Sequence, residues 1–269
     1  MAKAGTIRAG IGGWTFEPWN ETFYPGDLPK KRQLEYAASK LKTIEVNGTF
    51  YRSQSPATFA KWASETPEDF VFSLKAPRFA VNRKVLAEGG ESIERFVTSG
   101  ITELGDRLGP ILWQFAATKQ FDPDDFAAFV NLLPEKAGDL RLRHVVEPRH
   151  ESFACPEAVA ICRKAGVAIV CAEAEDYPQI ADVTADFVYT RLQMGDEANP
   201  TGYPADALDG WAARARKWAD GGQPEDLRRA DPDNAPPKQP RDVFLYFIRS
   251  GKPRAPHAAM ALQECLDAG

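Results

Sequence analysis

The feature that most constrains this chain is an eightfold alternation. Short runs rich in Val, Ile, Phe and Tyr recur at Ile7–Ile11, Thr43–Asn47, Phe70–Lys75, Ile111–Phe115, Leu142–Glu147, Val167–Ala172, Phe187–Leu192 and Val243–Ile248. Each has the length and composition of a buried strand. Helical spacings fill most of the gaps. Leu34, Ala37, Ala38 and Leu41 share one face, Phe59, Trp62 and Ala63 another, and Phe126, Phe129, Val130 and Leu133 repeat the period. Ile93, Phe96, Val97, Ile101 and Leu104 read as one longer stripe. Ser55-Pro56, Asp122-Pro123 and Cys155-Pro156 are helix starts with proline at the first helical position, and Gly166 is a helix stop. Strand and helix alternating eight times predict an α/β fold, a single (β/α)8 TIM barrel over residues 1–269.

Two segments break the rhythm. Glu173–Asp186 joins strands six and seven around Pro178, an irregular connection in which a single helical turn is expected. Asp220–Arg241 is rich in proline and charge and has no periodicity, so it reads as a mobile surface loop before the last strand rather than a domain boundary.

Composition excludes several classes. The chain has 269 residues and a net charge of -5, which argues against a dominant nucleic-acid or anionic-membrane footprint. Its apolar runs fall far below the ~20 residues of a membrane helix. Met1–Thr6 carries no apolar leader, and no membrane partner and a cytoplasmic location are expected. Cys155, Cys162, Cys171 and Cys265 show no Cys-x-x-Cys pair and read as reduced thiols.

In a barrel of this kind chemistry sits where the strands end. Strand two ends in Glu45-Val46-Asn47, strand three in Lys75, strand four at Gln114 and strand five in Glu147-Pro148-Arg149. Glu173 follows strand six, Tyr189 and Arg191 share a face of strand seven, and strand one runs into Gly12-Gly13-Trp14. Burying such groups unpaired is costly, so they must pair with one another, with water or with a ligand. A purely structural cap would pair Glu45 with Lys75 and Glu147 with Arg191. The functional reading makes Glu45 and Glu147 acid/base candidates and Lys75 their electrostatic partner or a Schiff-base nucleophile. Arg149 and Arg191 become anion clamps, because the guanidinium fork matches carboxylate and phosphate. Asn47, Gln114 and Tyr189 then contact the ligand, with Trp14 and Tyr51 as walls.

The same residues carry a family resemblance. Gly10-Ile11-Gly12-Gly13-Trp14, Phe23-Tyr24-Pro25, Glu45-Val46-Asn47-Gly48-Thr49-Phe50-Tyr51-Arg52, Phe70–Lys75, Leu108–Gln114, Glu147-Pro148-Arg149, Asp186–Arg191 and Tyr246-Phe247 occur in order. Together they resemble the YecE-like family of TIM barrels, domain of unknown function 72, from about Ile7 to Leu266. The resemblance implies the barrel and no established reaction. By fold analogy it also implies kinship with barrels of the endonuclease IV and xylose isomerase type. The chain departs from the family pattern at Ala80-Val81-Asn82, Ala172-Glu173, Leu192-Gln193-Met194 and Ile248-Arg249. Two family histidines are absent in consequence.

Only His144, His150 and His257 remain. His144 reads as structural, His257 as a surface residue, and His150 lies just past strand five. One usable histidine with Glu45, Glu147 and Glu173 makes a poor metal cluster, so no metal and no cofactor are expected. The reading is an uncharacterised barrel that binds or converts a small polar or anionic metabolite by metal-independent acid–base chemistry. The alternative is a nucleic-acid-binding or processing barrel, from Trp14, Trp19, Tyr51 and Arg52 beside Arg78, Arg83 and Lys84.

Overall fold

The computed structural model describes residues 4–268. Eight parallel strands close into a barrel in chain order: β1 (Ile7–Gly12), β2 (Thr43–Val46), β3 (Val71–Lys75), β4 (Leu108–Gln114), β5 (His144–Glu147), β6 (Ala168–Glu173), β7 (Phe187–Met194) and β8 (Asp242–Ser250). β8 pairs with β1 and completes the ring. Every expected strand is present, shifted at its ends by three residues or fewer.

The helix starts follow their caps. Ser55 Oγ accepts from Thr58 N at 3.2 Å ahead of helix Pro56–Ser64, and an Asp122 carboxylate oxygen accepts from Asp125 N at 3.0 Å ahead of Pro123–Asn131. Gly166 closes Pro156–Ala165 in the left-handed region, φ 66°. The stripe from Ile93 to Leu104 is two elements, an α-helix Gly90–Val97 and a 3₁₀ segment Ile101–Arg107. Gly100, φ 101°, turns the chain between them, which a continuous helix forbids.

Residues 174–186 contain no helix, so the expected turn after β6 is missing. Its place on the outside of the barrel is taken by residues 220–241. This loop lacks regular structure but is tied down. An Asp182 carboxylate accepts from Ala230 N at 2.6 Å and Asp231 N at 3.0 Å. Asp231 pairs with Arg163 on one flanking helix, and Asp226 pairs with Arg214 on helix Ala205–Ala219 on the other side. Leu227 and Ala230 pack into the core between barrel and helices.

Two apolar layers result. One lies between the strands and the helices. The other fills the barrel axis with Val71, Leu112, Val145, Val170, Phe187, Phe244, Tyr246 and Ile248. Period-two alternation turns Tyr189, Arg191 and Gln193 of β7 inward in succession, from the middle of the barrel to its mouth. Gly10 permits close approach of β1 to β2, since a Cβ there would lie 2.0 Å from Thr43 O. Among the described residues no helix is long and apolar enough to cross a membrane.

Candidate functional site

The inward ends of β2, β5 and β7 meet around one guanidinium. Arg191 Nη2 and Nε donate to the Glu45 carboxylate at 3.0 and 3.1 Å. Arg191 Nη1 donates to both Glu147 oxygens at 2.6 and 2.8 Å. Glu147 also accepts from Arg149 Nε at 3.2 Å and from Gln114 Nε2. Tyr189 donates its hydroxyl proton to Glu45 at 2.8 Å and lies 2.8 Å from Ser73 Oγ. Glu45 and Glu147 are at most 1 % exposed. Burial alone would raise the Glu147 carboxyl, but Arg191 and Arg149 hold it below the usual carboxylate range. The same two carboxylates push Arg191 further up.

Lys75 stands apart from this network. Among the described residues its ammonium makes no hydrogen bond or ion pair. Nζ sits 4.2 Å over the Phe50 ring. The backbone beside it is fixed, because Thr49 Oγ1 donates to Lys75 O at 2.7 Å. Burial and the neighbouring Arg191 bring its pKa down to about 8, against the pull of Glu45 and Glu147. The expected Glu45–Lys75 pair does not form. The planar fork of Arg191 reaches both carboxylates at once, which a single ammonium cannot do.

Above the network opens a cavity of about 800 Å³, walled by Trp14, Tyr51, Asn47 and Gln114 among others. Its charged lining is entirely cationic: Arg52, Lys75, Arg149, Arg191, Arg249 and Lys252. Arg149 stacks over Tyr177 at 4.4 Å, and Arg249 is paired with Asp176. A wider apolar cleft of about 930 Å³ lies among the segments leading into β4 and β5, away from this mouth. It brings no comparable cluster of charge together.

Most of the residues singled out in the sequence converge here, but in different roles. Glu45 and Glu147 lie beneath the cavity rather than in its wall. Tyr189, expected to touch a ligand, is fully buried with its hydroxyl committed to Glu45 and Ser73. The Arg191 fork, expected to clamp an anion, is occupied by the two glutamates. Glu173 points outward, accepting from Tyr203 at 2.6 Å and Trp211 at 3.0 Å. His144 is structural: it accepts from Trp113 Nε1 at 3.1 Å, and burial brings its pKa down to about 4. His150 caps a 3₁₀ turn. His257 is half-buried rather than superficial, with Nδ1 unpartnered.

Gln193, Tyr177, Arg249 and Lys252 are among the lining residues that the sequence did not point to as ligand contacts. Gln193 is 4 % exposed, and its Nε2 has no hydrogen-bond partner among the described residues. The signal for it was the alternation that carries Tyr189 and Arg191 two residues further. Arg249 has φ 68°, a left-handed conformation rare outside glycine, at the irregular end of β8. Among the described residues no three His, Cys, Asp or Glu side chains are placed to share a metal ion.

Fold and site together define a (β/α)8 barrel whose mouth carries a buried arginine–glutamate network under a cation-lined cavity. Residues 8–269 match the family described as Protein of unknown function DUF72, and the chain belongs to that family. It is 31% identical over 70 residues to the UPF0759 protein YunF of Bacillus subtilis (strain 168), a stretch covering 26% of this chain and 24% of that protein. Among solved structures, a DUF72 family protein from Thermotoga maritima MSB8 superposes with TM-score 0.74 at 21% identity, covering 97% of this chain and 99% of that one. A DUF72 family protein from Enterococcus faecalis V583 gives TM-score 0.72 at 18% identity, covering 97% and 96%. These structures share the fold.

Proposed function

We propose that the mouth of the barrel binds a small anionic metabolite and converts it by metal-independent acid–base chemistry, with the Lys75 amine as the group that takes and returns the proton. One observation carries this reading. At the base of the cavity two carboxylates, Glu45 and Glu147, meet three cations, Lys75, Arg149 and Arg191, and among the described residues Lys75 is the one of the three without a hydrogen-bond or ion-pair partner. An excess of one positive charge in this largely buried cluster is relieved by losing the lysine proton or by admitting an anion. Arg52 and Lys252 add positive charge higher in the wall. Glu45 and Glu147 hold and orient Arg191; an acid or base must exchange protons freely, and Glu147 is held ionised. Asn47 and Gln114 orient the ligand, and Trp14 and Tyr51 flank it.

A thermal-shift titration with inorganic phosphate and with acetate tests the reading. Either anion is expected to raise the melting temperature of the wild type in a saturable way, by mass action on the folded state. Lys75→Met is expected to lose that response. A wild type indifferent to both anions contradicts the reading.

A second reading rests on Tyr51 and Phe79, 65% and 62% exposed, beside Arg52 and Arg78. Exposed rings with cationic neighbours are the way single-stranded nucleic acid is held. Anisotropy titration against single-stranded DNA and RNA separates it, since phosphate-backbone binding falls steeply with salt.

A further inference from the structure

We propose that Lys75 attacks the carbonyl of a small 2-oxo acid and forms an imine, with the acid's carboxylate held by the cations and the Gln193 amide of the same cavity. The proposal rests on the anion-binding part of that reading, names its substrate class and gives Lys75 a covalent role in place of carrying the proton.

Three observations lead there. An ammonium used only as a fixed charge gains from a carboxylate partner and from water. Among the described residues Lys75 has no carboxylate partner: it is 6 % exposed, its ammonium meets the face of the Phe50 ring, and both nearby carboxylates are bonded to Arg191. Desolvation of this kind is one way a lysine is activated as a nucleophile. Its depressed pKa of about 8 agrees. Second, Gln193 lines the same cavity, and its Nε2 is a buried donor without a partner among the described residues. Such a donor has a cost unless some oxygen accepts from it. Third, Lys75, Arg149 and Arg191 line the same cavity, so a carbonyl beside Nζ has cationic groups in the surrounding wall. A carboxylate directly attached to the carbonyl is the small anion that would meet both Nζ and those cations at once.

The chemistry balances without an oxidant or a metal. The Nζ lone pair bonds to the carbonyl carbon, and the carbon–oxygen π pair moves to oxygen. The proton leaving nitrogen is taken by that oxygen, giving a carbinolamine. The oxygen then departs as water, with a second proton from the nitrogen, and the nitrogen lone pair completes the carbon–nitrogen double bond. Protonated, that imine draws electrons from the adjacent carbons, which suits proton removal or carbon–carbon cleavage next to the former carbonyl.

Reductive trapping tests it. The full chain is incubated with glyoxylate or pyruvate and sodium cyanoborohydride, and modified lysines are mapped by peptide mass spectrometry. At neutral pH an amine of pKa about 8 has a neutral fraction on the order of a hundredfold above that of an exposed lysine, so labelling at Lys75 is expected to be roughly tenfold faster or more. It is expected to saturate with probe, to slow with added acetate and to vanish in Lys75→Arg. Gln193→Leu is expected to raise the probe concentration needed for half-saturation while leaving Lys75 the labelled residue. Labelling spread over surface lysines, or unchanged in rate in Lys75→Arg, overturns the imine. Acetate binding seen by calorimetry without Lys75 labelling overturns the imine alone. Absence of acetate binding overturns the anion reading on which it rests.

Discussion

At the scale of single residues, Arg191 and Lys75 carry opposite obligations. Arg191 is the hub of a closed network, and removing a member leaves a buried charge without its partner, at a cost of about 3–5 kcal/mol. Glu147→Gln is therefore expected to lower the melting temperature by about 8 °C or more, given the few degrees per kcal/mol typical of a chain this size. Lys75 is different, because its proton is held against the fold. Below pH 8 both folded and unfolded chains keep that proton, and the penalty is complete. Between pH 8 and the ordinary lysine value of 10.5 only the unfolded chain holds it, so raising the pH favours folding. At pH 7 Lys75→Met is expected to melt no lower than wild type, with an advantage of up to about 3 kcal/mol. That advantage is expected to shrink between pH 8 and 10.5. Parallel melts of the two variants across this range check both statements. A Lys75→Met variant that loses as much stability as Glu147→Gln would put the lysine in the structural network.

At the scale of elements, strands and caps were legible because their causes are local. Buried runs such as Val167–Ala172, and caps such as Ser55 and Asp122, depend on a few neighbouring residues. The split between Val97 and Ile101 was not legible, since the apolar period continues across Gly100 while the backbone does not. The loop 220–241 read correctly as irregular, but its tethers did not, because they join it to Asp182 and Arg163 far away in the sequence. The site shows the same division. Most of the residues that reach the mouth followed from strand ends and alternation, Glu173 excepted, which faces outward. Which carboxylate pairs with which cation depended on geometry across the barrel axis, and there Arg191 took the partner expected for Lys75. For the loop, Asp182→Ala removes the acceptor of two backbone N–H groups, and hydrogen bonds to a charged group are worth about 1.5–3 kcal/mol each. The expected result is rapid amide exchange at Ala230 and Asp231 and new protease cleavage within 220–241, with Lys75 chemistry unaltered.

At the scale of the whole molecule, an acidic chain presents a cationic mouth. The net charge is -5, yet the charged lining of the cavity is entirely positive. A concave site of one sign within low-dielectric walls concentrates field lines and draws in counter-ions. The barrel supplies the walls, β7 supplies the ladder from Tyr189 through Arg191 to Gln193, and the end of β3 sets Lys75 beside it. Lys75 is thus a buried amine with no hydrogen-bond or ion-pair partner among the described residues, in a cavity suited to an anionic ligand. The most direct measurement is the pH titration of the Lys75 side-chain ¹³Cε resonance by NMR, assigned by its loss in Lys75→Arg, with and without saturating inorganic phosphate. The account predicts a midpoint near pH 8 in the free protein and an upward shift with phosphate, since a bound anion favours the ammonium. A midpoint at the ordinary lysine value of 10.5, unmoved by phosphate, would contradict it.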